Sequence, residues 1–283
     1  MTVMIGAEVS ARALIAAGTA TPERESEMTE GATKPTDLLV EVVIPCYNEE
    51  RALPVCIERL RAYLGGIMPY RWQITIADNA SKDRTWEIAQ GLAAQYPDVR
   101  ALHLDAKGRG RALRAAWLKS DADIVAYMDV DLSTDVKAFL PMVAALATGH
   151  SDIATGSRLM HGAQITRQWK RELTSRGYNA IIKAAMRNGF SDAQCGFKAM
   201  RTSLAHELLP YVENQEWFFD SELLLLCEER GLRIFEIPVD WDEDLDSRVD
   251  IRKTAIEDVQ GLQRVLRGRK ERRDGTYVVK HLS

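Results

Sequence analysis

From Leu38 onward the chain alternates short apolar runs with amphipathic stretches, and this alternation constrains its fold more than any other feature. The apolar runs have the length of strands, whereas the stretches between them carry apolar residues at helical spacing. Strands that alternate with helices are typical of a parallel sheet covered by helices. We therefore predict an open α/β fold whose ligands bind beyond the carboxyl ends of the strands.

The same pattern predicts the bounds of the individual elements. The predicted strands are Leu38–Pro45, Trp72–Ala77, Val99–Leu104, Ile124–Met128 and Asp152–Thr155. The predicted helices between and after them are Glu49–Leu64, ended by Gly65-Gly66, then Asp83–Gln95, Gly110–Lys119 and Val136–Ala147. Later in the chain we predict a helix over Gln168–Arg187, a helix that ends with Leu223–Arg230, a strand over Leu232–Trp241, and a final helix, Ile251–Leu266, before the basic run Arg267–Arg273.

Composition narrows the class of protein. With 283 residues, 46% of them hydrophobic, the chain can bury a sizeable core. Its 37 basic and 41 acidic residues leave a net charge of -4, so we expect no nucleic-acid partner. The cysteines have no C-x-x-C spacing and the histidines no H-E-x-x-H pattern, which argues against a zinc site. We expect a flexible leader over residues 1–37, a catalytic domain over 38–250, and a C-terminal helix and basic tail over 251–283, with a juxtamembrane and a soluble position of the tail as alternatives.

Polar clusters follow four of the predicted strands. They are Pro45–Glu50, Asp78–Thr85, Lys107–Ala112 and Asp129–Asp131. In the second cluster Ser81 and Asp83 suit the cap of a helix as well as a ligand contact, whereas Asp78 stands too early to be a cap. The two glycines of the third cluster allow close approach of a ligand, and its basic residues suit phosphate.

Asp129 and Asp131 form a D-x-D motif after the fourth predicted strand. In an extended segment their side chains lie on one side, where two anions repel each other unless a cation joins them. Hard divalent ions such as Mg²⁺ or Mn²⁺ take oxygen ligands and leave positions open for phosphate oxygens. The motif therefore predicts a metal site that holds a diphosphate.

In this order the clusters resemble the motifs of family 2 glycosyltransferases with the GT-A fold. The matching segments are Val42–Glu49, Asp78–Thr85, Gly108–Ala112, Gly156–Arg158 and Gln194–Lys198. Trp217–Leu223 and Pro238–Trp241 further resemble polyprenyl-phosphate sugar synthases of the dolichyl-phosphate β-glucosyltransferase type. The chain departs from related motifs at Ala106, where Asn is frequent, and at Ser133, where mannose synthases often carry Gln.

The resemblance implies a GT-A fold, which is a Rossmann-like, nucleotide-binding mixed sheet with helices on both faces. It also implies inverting transfer of a hexose, with glucose favoured, from a nucleotide-diphosphate sugar to polyprenyl monophosphate. The donor-binding residues would be Pro45, Tyr47, Glu49, Asp78, Lys107, Asp129, Asp131 and Arg248. Catalysis would depend on Asp129, Asp131 and Asp220, with the first two holding Mg²⁺ or Mn²⁺.

The same family implies an acceptor site and a place of action. The acceptor phosphate would contact Ser157, Arg158, Arg171, Arg176 and Lys198. For Arg171 and Arg176 a solvated basic helix face explains the residues equally well. The expected partners are a UDP-hexose, polyprenyl phosphate and a membrane surface, which places the enzyme in the cytoplasm, peripheral at the inner face of the membrane.

Two alternatives stay open at this point. One is a GT-A transferase that acts on a non-lipid acceptor, and the other is a catalytically silent module that only binds nucleotide sugars. Retention of both D-x-D carboxylates favours a working enzyme over the silent module.

Overall fold

Seven strands form one mixed sheet in the computed structural model of the chain, which describes residues 37–163, 165–166, 169–242 and 251–273. The order of the strands across the sheet is β3-β2-β1-β4-β7-β5-β8. The strands of this sheet are β1 (Leu39–Cys46), β2 (Arg71–Asn79), β3 (Val99–Leu104), β4 (Ile124–Met128), β5 (Ile153–Ser157), β7 (Phe197–Arg201) and β8 (Ile234–Pro238). A separate two-stranded pair joins β6 (Ile165–Thr166) to β9 (Trp241–Asp242).

Helices connect the strands and cover both faces of the sheet. They are α1 (Ala52–Ile67), α2 (Thr85–Gln95), α3 (Arg109–Lys119), α4 (Phe139–Ala147), α5 (Trp169–Met186), α6 (Thr202–Leu208), α7 (Phe219–Glu229) and α8 (Ile251–Arg273). Two short 3₁₀ turns, Val136–Ala138 and Leu209–Tyr211, adjoin α4 and α6.

The central strands are buried on both faces, which explains why they are continuous apolar runs. In β1 the side chains of Val40, Val42 and Ile44 join a core formed with α1, α2 and α4. Val43 points to the opposite core, where Trp117 of α3 and Leu224 of α7 pack with α5, α6 and α8. The alternation of side chains along one strand thus supplies two cores, and the helices lie on both faces as expected.

Each early element occurs where the sequence pattern predicts it, although several ends differ by up to three residues, and the end of the first helix needs a correction. Gly65-Gly66 was expected to end that helix, but α1 continues through both glycines to Ile67. Met68 N donates to Leu64 O at 3.0 Å, so the backbone bonding pattern extends past the pair. Glycine weakens a helix by about 1 kcal/mol per residue without removing a donor, and that penalty does not break the last turn.

Two later features were not predicted as they occur. β7 was not expected as a strand; it is antiparallel to both β4 and β5 and makes the sheet mixed. The basic run Arg267–Arg273 was expected to follow the final helix, but it forms the last turns of α8. Leu262 and Val265 of α8 are buried in the core shared with α7, so the helix packs on the domain.

The four cysteines are free and buried. Burial raises the pKa of the Cys56, Cys195 and Cys227 thiols to about 12. Over the described ranges, no helix combines the length and apolar character that crossing a membrane requires.

Candidate functional site

The predicted clusters meet at one edge of the sheet because β1, β2, β3 and β4 are parallel. Their carboxyl ends therefore point the same way. β7 runs in the opposite direction, so its first residue, Phe197, pairs with Met128 at the end of β4. This register brings Gly196 and Lys198 to the edge that carries the four clusters.

The loops after β1 and β2 are tied together by hydrogen bonds. The backbone N–H groups of Asn48 and Glu49 donate to the hydroxyls of Ser81 and Thr85 at 2.9 and 2.7 Å. In return Asn48 Oδ1 accepts from Lys82 N at 2.7 Å. Ser81 therefore fixes the course of the first loop, and Glu49 is placed at the edge by its backbone.

Asp78, Tyr47 and Lys107 form one corner of this edge, where β1, β2 and β3 end. Asp78 is fully buried in β2, and its Oδ2 lies 2.6 Å from Nδ1 of His103 on β3. Lys107 Nζ lies 4.0 Å from the centre of the Tyr47 ring, a cation–π contact between the first and third clusters. Pro45 lies within β1 opposite Ala77 and is buried, so it sets the path of the chain into the corner.

The loop after β3 is shaped around its two glycines. Gly108 has φ 156° and donates its N–H to Asn79 Oδ1 at 2.7 Å. A Cβ on Gly110 would lie 2.6 Å from Cβ of Phe219, so only glycine allows α3 to approach α7 this closely. The loop thereby delivers Arg109, between the glycines, to the end of β4.

Asp129 and Asp131 lie in the turn that follows β4. Leu132 has φ 51° and its N–H donates to Asp129 O at 3.1 Å, which closes the turn. Asp131 is exposed, and its Oδ1 accepts from Ser133 N at 2.9 Å. The Asp129 carboxylate is 35% exposed and lies over Gly196, where a Cβ would be 1.9 Å from Oδ2.

Arg109 connects Asp129 to Asp220. Its Nη2 donates to Asp129 Oδ1 at 2.7 Å and its Nη1 donates to Asp220 Oδ2 at 2.6 Å. Burial alone would lower the pKa of Arg109, but the neighbouring carboxylates and Tyr127 raise it well above its usual value. The guanidinium is a permanent cation that binds both acids at once.

Asp220, at the first turn of α7, is enclosed by donors. Beside Arg109, Lys198 Nζ lies 3.2 Å from its Oδ1, and the Tyr127 hydroxyl donates to the same oxygen. Burial would raise the pKa of Asp220, but the charges of Lys198 and Arg109 and the Tyr127 hydrogen bond hold it below its usual value. With 2% of its side chain exposed, Asp220 is placed to organise cations and not to accept a proton from a substrate.

The expected acceptor-phosphate residues are engaged with other protein groups. Lys198 is fully buried, and its Nζ donates to Cys195 O at 2.6 Å as well as facing Asp220. Arg158 binds Asp192 through Nε and Nη2 at 2.7 and 3.0 Å. Ser157 exchanges a hydrogen bond with the Ser191 hydroxyl at 2.6 Å. For Arg171 and Arg176 only the helical backbone is described, and Arg248 lies outside the described residues.

The sequence prediction of the site omitted residues that the structure places in it. Arg109 was noted only as part of a basic turn, and Tyr127, Asp192 and Gly196 were given no role in the site. Arg109 and Gly196 each had a sequence signal, since both stand in motifs on which the family resemblance rests. His103 and Tyr127 had none, because each is an ordinary strand residue until its neighbour across the sheet is known.

The candidate metal ligands at this edge are two carboxylates, those of Asp129 and Asp131. Among the described residues no group of three or more His, Cys, Asp or Glu side chains could hold a metal by itself. Asp129 and Asp131 nevertheless offer the hard oxygen ligands that Mg²⁺ or Mn²⁺ takes, and such ions commonly complete their shell with phosphate oxygens and water. The residues present therefore fit a divalent ion that is shared with a diphosphate.

Comparison with known proteins decides the family. The model of the family described as Glycosyl transferase family 2 matches residues 41–209, more than half of the chain. The chain belongs to this family. The match spans all four strand-end clusters and the Gly196–Lys198 segment, so the family expected from the motifs is confirmed.

Curated relatives agree with this membership. Glycosyltransferase AglD of Haloferax volcanii is 34% identical over 244 residues, which is 84% of this chain and 38% of that protein. Dolichyl-phosphate beta-glucosyltransferase ALG5C of Trichomonas vaginalis is 31% identical over 240 residues, covering 80% of this chain and 71% of the relative. The human dolichyl-phosphate beta-glucosyltransferase is 30% identical, with coverage of 71% and 67%. The chain thus spans well under half of AglD and about two thirds of the others.

Solved structures establish the fold. Glucosyl-3-phosphoglycerate synthase from Mycobacterium tuberculosis, in complex with Mn²⁺, UDP and glucosyl-3-phosphoglycerate, has a TM-score of 0.59 at 18% identity, covering 90% of this chain and 86% of that one. Mannosyl-3-phosphoglycerate synthase from Rubrobacter xylanophilus has a TM-score of 0.58 at 17% identity, with coverage of 87% and 77%. The expected GT-A fold is confirmed.

Proposed function

We propose that this glycosyltransferase moves a hexose, glucose before other sugars, from a UDP-sugar to polyprenyl monophosphate with inversion at the anomeric carbon. The proposal is based mainly on the position of Asp129 and Asp131, which follow β4 and lie beside Arg109. Asp78 and Lys107 lie at the same edge of the sheet. The names of the dolichyl-phosphate glucosyltransferase relatives support the lipid acceptor, and the UDP and Mn²⁺ complexes of the structural neighbours support the donor.

In this proposal the donor lies along the edge of the sheet. Asp78 and Tyr47 contact the nucleoside, with Pro45, Glu49 and Lys107 around it and Arg248 contributing to the diphosphate. Asp129 and Asp131 hold Mg²⁺ or Mn²⁺, which supplies Lewis-acid neutralisation of the departing diphosphate. Arg109 adds a fixed positive charge beside the same group, and charges fixed before reaction stabilise developing negative charge without reorganisation.

The acceptor phosphate needs positioning more than deprotonation. A phosphate monoester is already an anion near neutral pH, so its oxygen can attack the anomeric carbon while the bond to the diphosphate breaks. Asp220 is bound by Arg109, Tyr127 and Lys198, which suits it to hold Arg109 against Asp129. We therefore assign Asp220 a positioning role in catalysis and not that of a general base.

The acceptor site is proposed to lie where β5, β7 and α5 meet this edge. Ser157 ends β5, Arg158 follows it, and Lys198 lies in β7, so their charges and hydroxyl face the same region as Asp129. Because Asp192 and Asp220 neutralise Arg158 and Lys198, respectively, further cations are needed for a phosphate. Arg171 and Arg176 on α5 are proposed to supply them.

A membrane surface is the place where a polyprenyl acceptor would be met, and one face of α8 suits it. Ile256, Val259 and Leu266 are 61%, 52% and 40% exposed, and helical spacing places them on one side. Arg267 and Lys270 are exposed on the same side. Basic residues near an anionic surface each contribute about 1 kcal/mol, so this face would hold the enzyme peripherally at the inner leaflet.

The test is a transfer assay with the purified chain. Labelled UDP-glucose, UDP-N-acetylglucosamine and GDP-mannose are each incubated with polyprenyl phosphate and with a soluble phosphate acceptor, with Mn²⁺, with Mg²⁺ and with chelator. We expect metal-dependent transfer of glucose to the lipid. Label appearing only on the soluble acceptor would contradict the lipid proposal, and donor binding without any transfer would identify a silent binding module.

A further inference from the structure

Asp78 and His103 are lateral neighbours on adjacent parallel strands. The register of β2 and β3 pairs them directly, and His103 Nδ1 lies 2.6 Å from Asp78 Oδ2. A carboxylate oxygen only accepts, so Nδ1 carries the hydrogen of this bond. The Asp78 side chain is fully buried and that of His103 is 36% exposed, so the imidazole connects a buried acid to the surface.

The two oxygens of Asp78 have different surroundings. Oδ2 is bound by His103, whereas Oδ1 is buried without a hydrogen-bond partner in the part of the chain that the structure describes. A buried acceptor without a donor is costly, and native proteins keep few of them. Asp78 lies at a strand end that faces the proposed nucleotide-sugar site, so a bound ligand is best placed to supply the missing hydrogen-bond donor.

The imidazole is itself held in place. Trp86 of α2 packs on it with ring centroids 5.0 Å apart and an interplanar angle of 42°. Its other nitrogen, Nε2, lies 3.8 Å from Asp105 Oδ1 on the outer side. These contacts on two sides limit rotation of the ring, so Nδ1 stays directed at Asp78.

We propose that His103 is a positioning residue for the donor nucleotide: it holds Asp78 Oδ2 so that Oδ1 is presented to an N–H of the nucleobase. This inference rests on the proposed function, because it requires a nucleotide donor in the Asp78 corner. Uracil and guanine present a ring N–H to such an acceptor, whereas N3 of cytosine presents a lone pair. His103 therefore contributes to selection of the base through Asp78.

The test compares His103→Leu, which removes the donor, with His103→Asn, whose Nδ2 can reach the position of Nδ1. His150→Leu is the matched control, because His150 precedes β5 at the opposite edge of the sheet and bonds Ser151. Binding of UDP, GDP and CDP is measured by calorimetry, and kcat and KM for the sugar donor are measured alongside. Melting temperatures report folding, and His103→Ala is the second disruptive variant should His103→Leu not fold.

For the preferred nucleotide we expect His103→Leu to weaken binding by roughly 10-fold or more, as for loss of a hydrogen bond to a charged group. The donor KM should rise in parallel with little change in kcat, and the preference over CDP should shrink. His103→Asn should recover most of the affinity, and His150→Leu should bind as the wild type does. Unchanged affinity and base preference in folded His103→Leu would overturn this inference while leaving the proposed function intact. A wild-type protein that binds neither UDP nor GDP would overturn both.

Discussion

At the scale of single residues, the carboxylate of Asp129 is fixed from two sides. Arg109 Nη2 donates to one oxygen, and the other lies against Gly196, where no side chain fits. Arg109 is in turn held by Asp220, whose remaining bonds come from Tyr127 and Lys198. One chain of contacts thus sets the orientation of the proposed metal ligand.

Gly196→Ala tests the contact beneath Asp129. The added Cβ would lie 1.9 Å from Oδ2, so the carboxylate must move. Displacing a reacting group by about 1 Å can cost about 10²-fold in rate, and we expect a loss of that order in kcat with a higher Mn²⁺ requirement. The control is Gly91→Ala on α2, where a Cβ meets nothing within 4 Å and the melting temperature should rise. Normal Mn²⁺ dependence in Gly196→Ala would show that Asp129 does not need this position.

Arg109→Lys tests the bridge between Asp129 and Asp220. A lysine ammonium keeps the charge but cannot reproduce the two-sided fork, so one carboxylate loses its donor. We expect the transfer rate to fall by roughly 10- to 100-fold in a protein that still folds. Arg61→Lys on α1, which alters a partly buried ion pair with Asp98 just before β3, should leave the rate unchanged. Wild-type turnover in Arg109→Lys would remove Arg109 from the catalytic arrangement.

At the scale of elements, the local sequence pattern was enough to predict a strand or helix whose own residues define it. β3 and β4 have the predicted bounds, since each is an apolar run between turn signals. β7 has no such signal: it contains Lys198, leads directly into α6, and is a strand because β4 and β5 pair with it. The strand-end clusters were predictable for the same local reason, whereas the bonds of Arg109 join residues 20 and 111 positions apart.

The stability contributed by the packing of α8 on the domain should depend on pH, because α8 contains the buried carboxyl group of Asp258. Burial raises the pKa of Asp258 to about 7, with Gln194 bonded to one of its oxygens. Because the folded-state pKa exceeds that of the unfolded chain, the native state keeps a proton that the unfolded chain has lost, and stability falls as the pH rises from about 4 through about 7.

Asp258→Asn removes this titration. Thermal melts between pH 5 and pH 8 should show a shallower decline in melting temperature for Asp258→Asn than for the wild type. Glu271→Gln, a charge loss near the end of the same helix, should follow the wild-type curve. Parallel curves for Asp258→Asn and the wild type would show that Asp258 does not titrate in this range.

At the scale of the whole molecule, topology explains why distant clusters form one site. Four parallel strands deliver their loops to one edge, and the antiparallel β7 returns to the same edge with Gly196 and Lys198. α7 adds Asp220 from the helical layer through Arg109. Selection of the sugar and of the acceptor depends on side chains outside these strand ends. The identities of both are therefore proposals, whereas the family and the fold are established.

The dependence of sugar transfer on Mn²⁺ concentration in the wild type and in Asp131→Ala tests the central claim most directly. Asp131 is exposed and its replacement removes the hydrogen bond from Ser133 N, so the free energy of unfolding should fall by only about 1 kcal/mol. We expect kcat to fall roughly 10²- to 10³-fold because charge neutralisation at the leaving diphosphate is lost. Asp121→Ala, at the opposite edge of the sheet, should retain full activity. Wild-type turnover and Mn²⁺ dependence in folded Asp131→Ala would contradict a role for the Asp129 and Asp131 pair in catalysis.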